Sequence, residues 1–148
     1  MMKHAKLLIL GVLSVVLLTN AFTLEPSTDL KDNVSNEPSK LVVVWTSGDR
    51  EVALKMVYMY TYNAKKNGWW DNIRFIVWGP SSKLLSEDKE LQDYIQKMKE
   101  VGVEVFACKA CADMYGISEK LSELGLDVKY IGKDLSEMLQ GGWTHLTF

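Results

Sequence analysis

Val105-Phe106-Ala107-Cys108-Lys109-Ala110-Cys111-Ala112-Asp113-Met114-Tyr115-Gly116 is the stretch whose reading decides the fold. A short β-branched and aromatic run stops at a cysteine and continues into Ala112-Asp113-Met114-Tyr115, the pattern of a strand end turning into a helix N-terminus. The only two cysteines of the chain lie there, Cys108 and Cys111. Free backbone N–H groups and the positive end of a helix dipole favour an anion, so the position predicts a stabilised, reactive thiolate at Cys108.

Working outward, the same strand-then-helix unit recurs. Lys40 to Thr46 is a continuous apolar run of strand length, as expected of a central parallel strand covered on both faces. Ser47-Gly48-Asp49 breaks it, with Ser47 or Asp49 placed to cap a helix. Val52, Ala53, Met56, Val57, Tyr60 and Ala64 recur along that helix at i, i+3, i+4 spacing, and Asn67-Gly68 ends it. Asn72 to Trp78 reads as a second strand, halted by Gly79-Pro80-Ser81-Ser82; Ser81 or Ser82 starts a short helical turn with Leu84 and Leu85. Ser86-Glu87-Asp88-Lys89-Glu90 opens a helix with acidic residues in its first turn, and Leu91, Tyr94, Ile95, Met98 and Val101 form its apolar stripe. Val103 to Ala107 is the third strand. Beyond the cysteines come a helix over Ser118 to Leu124 with Ser118 as its cap, a fourth strand Val128 to Ile131, and a helix over Leu135 to Gln140. An alternating run, Trp143 to Phe148, suits an edge strand. Right-handed crossovers turn this order into one flavodoxin-like, doubly wound α/β sheet of about five mostly parallel strands with helices on both faces.

Composition narrows the function classes. The chain has 148 residues, a formal net charge of -2 and 47% hydrophobic residues, which fits one globular domain and offers no basic face for nucleic acid. Met1 to Lys6 is a short positive segment, and Leu7 to Leu18 is an apolar run of signal-peptide length. Thr19-Asn20-Ala21 places cleavage after Ala21, so residues 1–21 read as a signal peptide and the protein as periplasmic or secreted. The competing reading, an uncleaved anchor, is the one case that brings in a membrane. Residues 22–40 are rich in Ser, Asn, Asp, Glu and Pro without periodicity, a disordered tether, and residues 41–148 form the domain. Two cysteines in an exported chain suggest a disulfide, yet a bridge between residues three apart closes too short a loop to stabilise much. Redox or sulfur chemistry is the better reason for the pair.

Ligand crevices of open α/β sheets lie beyond the carboxyl ends of the strands, where the strand order reverses. Three loops leave such ends: Ser47-Gly48-Asp49, Trp78-Gly79-Pro80-Ser81 and Cys108 to Cys111. Ser47, Gly48, Asp49, Trp78, Gly79, Pro80 and Tyr115 are therefore expected to line the site around the cysteines. Each has a plainer alternative. Cys108 can be a small buried hydrophobe, Cys111 a packing or a resolving residue, Asp49 only a cap, and Trp78 and Tyr115 core rim. One Cys-x-x-Cys supplies two metal ligands where structural zinc takes four, and downstream of the leader the only histidine is His145, so no metal site is expected. Neither a phosphate loop nor a dinucleotide fingerprint is present, and no Ser/His/Asp set can be assembled.

The segment Gly102 to Gly116 resembles the cysteine segment of the DsrE/DsrF/YchN-like proteins, in which a strand ends in a cysteine and a glycine follows eight residues later. Val42 to Asp49 and Ile76 to Ser81 look like that family's first two strand-loop units, and the similarity spans Leu41 to Phe148. The resemblance implies assembly as trimers or hexamers and a sulfur-relay role. The cysteine at the position of Cys108 would carry a persulfide between donor and acceptor proteins or small thiols, with no cofactor other than that covalent sulfur. On this reading the chain is a carrier more than an enzyme, with Cys111 as a resolving thiol. Two alternatives stand beside it. A thiol-disulfide oxidoreductase would use both cysteines, although Pro26, Pro38 and Pro80 all precede them, whereas a thioredoxin-like chain has a proline after the pair. A non-catalytic oligomeric binding protein would use the cysteines for packing only.

Overall fold

The computed structural model describes residues 37–148 of the chain. The expected signal peptide and nearly all of the expected tether lie outside the described residues. Just before the first strand, Ser39 is already fixed: its N–H and Oγ donate to Asp71 Oδ2 at 2.7 and 2.8 Å.

Five strands form one sheet: β1 (Lys40–Trp45), β2 (Asn72–Val77), β3 (Glu104–Cys108), β4 (Asp127–Lys129) and β5 (Thr144–Thr147). Their order is β4-β3-β2-β1-β5, and every pairing is parallel. From β1 to β4 the chain steps in one direction, so crossovers of a single hand, the rule for parallel strands, put their helices on one face. These are α1 (Arg50–Val52), a π-helical segment (Ala53–Tyr58), α2 (Met59–Lys66), α3 (Pro80–Glu87), α4 (Lys89–Glu100), α5 (Lys109–Tyr115) and α6 (Ser118–Glu123). The last crossover returns past β1 to β5, so its helix, α7 (Gly132–Gln140), covers the other face.

Burial follows this asymmetry. Leu41, Val43, Trp45 and Phe75 point into the larger core with Ala53, Val57, Leu85, Ile95 and Leu121. Val42, Val44, Ile76, Phe106 and Cys108 point the opposite way and meet Ile131 and Met138. The period-2 alternation of the strands thus assigns Cys108 to the thinly covered face.

Local departures from the sequence pattern have identifiable causes. The π-helical segment advances the phase of the first helix, so Ala53, Val57, Tyr58, Thr61 and Ala64 are buried while Met56 turns outward at 53% exposure. Pro80 starts α3 at its first position, ahead of the serines; Ser81 Oγ instead donates to Trp45 O at 2.6 Å, tying the ends of β1 and β2 together. The acidic segment from Ser86 is divided between two helices. Glu87 ends α3, and Asp88 caps α4 by accepting from Leu91 N–H at 3.1 Å. Ser118 is the first residue of α6 rather than its cap, its hydroxyl donating to Asp113 Oδ1 at 2.6 Å.

Candidate functional site

The loops after β1, β2 and β3 lie side by side because these three strands are sheet neighbours. The reversal of strand order falls elsewhere, between β1 and β5. The first loop is held by a cap and by the last strand: Asp49 Oδ1 accepts from Glu51 N–H at 2.7 Å and Val52 N–H at 3.1 Å, and Ser47 Oγ accepts from Asp49 N–H at 3.1 Å. Thr46 and Ser47 both donate their N–H groups to Phe148 O. Asp49 is therefore engaged as a helix cap.

The second loop is built around Gly79. Its φ of 71° with ψ of -133° is a conformation that L side chains rarely adopt, and a Cβ there would meet nothing within 4 Å. The glycine is required by the backbone, not by a close neighbour. The Gly79 N–H lies near Cys111 Sγ and favours its thiolate form. At Gly48 the situation is reversed. A Cβ would come within 3.3 Å of Pro80 Cβ, so the first two loops pack closely only because Gly48 lacks one.

Cys108 ends β3, stands in the N-cap position of α5 with φ of -67° and ψ of 108°, and is 4% exposed. Cys111 lies one turn later, partly exposed, against the same small core as Trp78. The two thiols are free and touch, Cys111 Sγ donating to Cys108 Sγ at 3.0 Å. Burial pushes the Cys111 thiol up, the hydrogen bond to Cys108 pushes it further, and the Gly79 N–H pulls against both. The register partner of Cys108 is Lys129, whose ammonium is already taken by Asp134 at 2.6 Å and Asp127 at 3.3 Å.

Apart from Ser47 and Asp49, which are engaged in the turn and cap before α1, the expected site residues divide into two groups. Trp78, Gly79, Cys108 and Cys111 come together on the thinly covered face. Gly48, Pro80 and Tyr115 instead rim a shallow depression of about 230 Å³ with Lys83, Leu84 and Glu87, which neither cysteine lines. Tyr115 is 43% exposed and belongs to that second group. A cleft of about 350 Å³ between the sheet and α7, lined by Arg74, Phe106, Lys129, Asp134 and Trp143 among others, was not anticipated. Its sequence signal is Arg74, a lone charge within the apolar run of β2, on the face where only α7 packs. There the guanidinium sits 4.8 Å from the Trp143 ring and pairs with Glu104 at 3.0 Å.

An open, all-parallel α/β sheet whose third strand delivers a cysteine to its carboxyl edge defines the structural class. The sequence model of the DsrE/DsrF-like family matches residues 61–148, more than half of the chain, and the chain belongs to that family. Among solved structures it is similar to a conserved protein of unknown function from Bacteroides thetaiotaomicron, at 34% identity and a TM-score of 0.72, over 74% of this chain and 95% of that one. The ychN protein from E. coli (17% identity, TM-score 0.60) and a protein of unknown function from Methanobacterium thermoautotrophicum (19%, 0.56) share the fold, each over 74% of this chain and 99% of theirs. No curated protein sequence matches the chain.

Proposed function

We propose that this protein is an exported sulfane-sulfur carrier in which Cys108 bears a persulfide. Family membership supports sulfur relay in general. The observation that carries the reading is the pair of free thiols in contact at 3.0 Å at the carboxyl end of β3. Loading needs no external oxidant. A donor persulfide R–S–SH meets the Cys108 thiol, a bond forms between Cys108 Sγ and the terminal sulfur, the donor S–S bond breaks, and R–SH leaves with the proton.

Export rests on the leader pattern of residues 1–21, and trimeric or hexameric assembly on the family resemblance; light scattering of the mature chain reads the assembly. No bound cofactor is invoked beyond the covalent sulfur. Donor and acceptor are proteins or small thiols. The test of the carrier reading is site-resolved mass spectrometry after incubation with inorganic polysulfide, where a gain of one sulfur located on Cys108 supports it and an unmodified Cys108 overturns it.

The same contact favours a second reading, thiol-disulfide exchange. An S–S bond is about 2.05 Å long, so sulfurs already touching need only a small approach. Reduction of insulin that requires both cysteines distinguishes it.

A further inference from the structure

We infer that sulfur arriving from a protein donor is received by Cys111 and then handed inward to Cys108. This rests on the carrier reading and assigns the order in which its two thiols act. Cys108 is 4% exposed and belongs to the small buried core that also holds Ile76, Phe106, Ile131 and Met138. A persulfide carried on another protein cannot present its terminal sulfur to an atom so covered without opening the small core. Cys111 is partly exposed on the outer rim of that core, with its Sγ 3.0 Å from Cys108 Sγ, inside the range at which reacting atoms are poised.

Both steps balance. In the first, the Cys111 thiol takes the terminal sulfur of R–S–SH: the Cys111 Sγ–S bond forms, the donor S–S bond breaks, and the donor departs as R–SH with the Cys111 proton. In the second, Cys108 Sγ bonds to that same terminal sulfur as its bond to Cys111 Sγ breaks; the electron pair stays on Cys111, which regains a proton from Cys108. The sulfane sulfur keeps its oxidation state throughout, and no oxidant or reductant is consumed. The inward step therefore leaves the terminal sulfur in the more enclosed position, away from stray thiols.

The experiment compares a bulky and a small donor, persulfidated albumin and sodium tetrasulfide, by site-resolved mass spectrometry. Wild type is expected to accumulate the extra sulfur on Cys108 from both, and Cys108→Ser to accumulate it on Cys111. Cys111→Ser is expected to load from albumin at least tenfold more slowly while still loading Cys108 from tetrasulfide, which also reports that the variant is folded. Loading of Cys111→Ser from albumin at the wild-type rate overturns the order. Where Cys111→Ser loads from neither donor, brief iodoacetamide treatment of wild type decides. Alkylation of Cys111 ahead of Cys108 supports the order, and Cys108 first overturns it. Absence of any sulfur adduct on wild type from either donor sinks the carrier reading itself.

Discussion

Replacing Gly79 by alanine separates the backbone's role in the site from ordinary packing. At φ 71° and ψ -133° a non-glycine residue costs about 1–3 kcal/mol, and because a new Cβ there meets nothing within 4 Å no steric cost is added. Either the strain is kept and stability falls by that amount, or the loop relaxes and swings its N–H off Cys111 Sγ. Gly68→Ala provides the control: it also has positive φ (67°) and open space around a Cβ, and it lies in the turn after α2 with no part in the cysteine site. Guanidinium unfolding should show each variant weakened by about 1–3 kcal/mol where the strain is retained. Alkylation of Cys111 as a function of pH should separate them. Where the loop relaxes, losing the Gly79 N–H removes an interaction that favours the Cys111 thiolate, so its titration moves upward in Gly79→Ala, whereas in Gly68→Ala it stays in place. A Gly79→Ala protein with wild-type stability and an unmoved Cys111 titration would refute the claim that this glycine is retained to aim its amide at the thiol.

Asp49→Ala should cost about 1 kcal/mol in denaturant unfolding through loss of the α1 cap and leave sulfur loading of Cys108 unchanged; impaired loading would give Asp49 a role in the site after all. Tyr58→Phe should be neutral or stabilising by up to about 1–3 kcal/mol, because the buried Tyr58 hydroxyl has no hydrogen-bond partner; a loss above about 1 kcal/mol would reveal one. Acid should destabilise the fold. Burial pushes the Asp88 carboxyl up, but hydrogen bonds from Leu91 N–H and Arg50 outweigh it, while Ser39 holds Asp71 down and Lys129 holds Asp134 down. Carboxylates with depressed folded values contribute stability above their unfolded value of 3.8 and lose it as pH falls through the folded value. Stability should therefore be level above about pH 5 and decline below about pH 4. The deficit of Asp88→Asn against wild type should shrink as pH is lowered, and a deficit that grows on acidification contradicts the assignment.

The central sheet was legible because β1, β2 and β3 are largely apolar runs followed closely by Gly or Cys, and short crossovers between parallel strands permit few arrangements. Cys108 was placed at a strand end by the pattern Val105-Phe106-Ala107-Cys108, and β3 ends there. The phase of the first helix was misread at Met56, since a π-helical segment breaks the 3.6-residue repeat without a mark in residue type. Capping was correct at Asp49 and wrong at Ser118, where a serine has a nearer acceptor in Asp113. The division of the expected site into two groups was beyond reach of pattern reading. The loops are neighbours, but whether a side chain joins the cysteines or the Tyr115 depression depends on which side of the sheet each loop descends. Face assignment of Cys108 follows from alternation with Phe106, whereas the thin cover on that face follows from the strand order, in which only the final crossover uses it. The cleft at Arg74 is a consequence of the same topology.

The most direct measurement is the mass of the chain, resolved to individual cysteines, after incubation with polysulfide and gel filtration under non-reducing conditions. The account predicts one added sulfur on Cys108, removed by dithiothreitol and displaced to Cys111 in Cys108→Ser. An unmodified Cys108, or a chain that passes straight to a Cys108–Cys111 disulfide without a persulfide form at any time point, would contradict it.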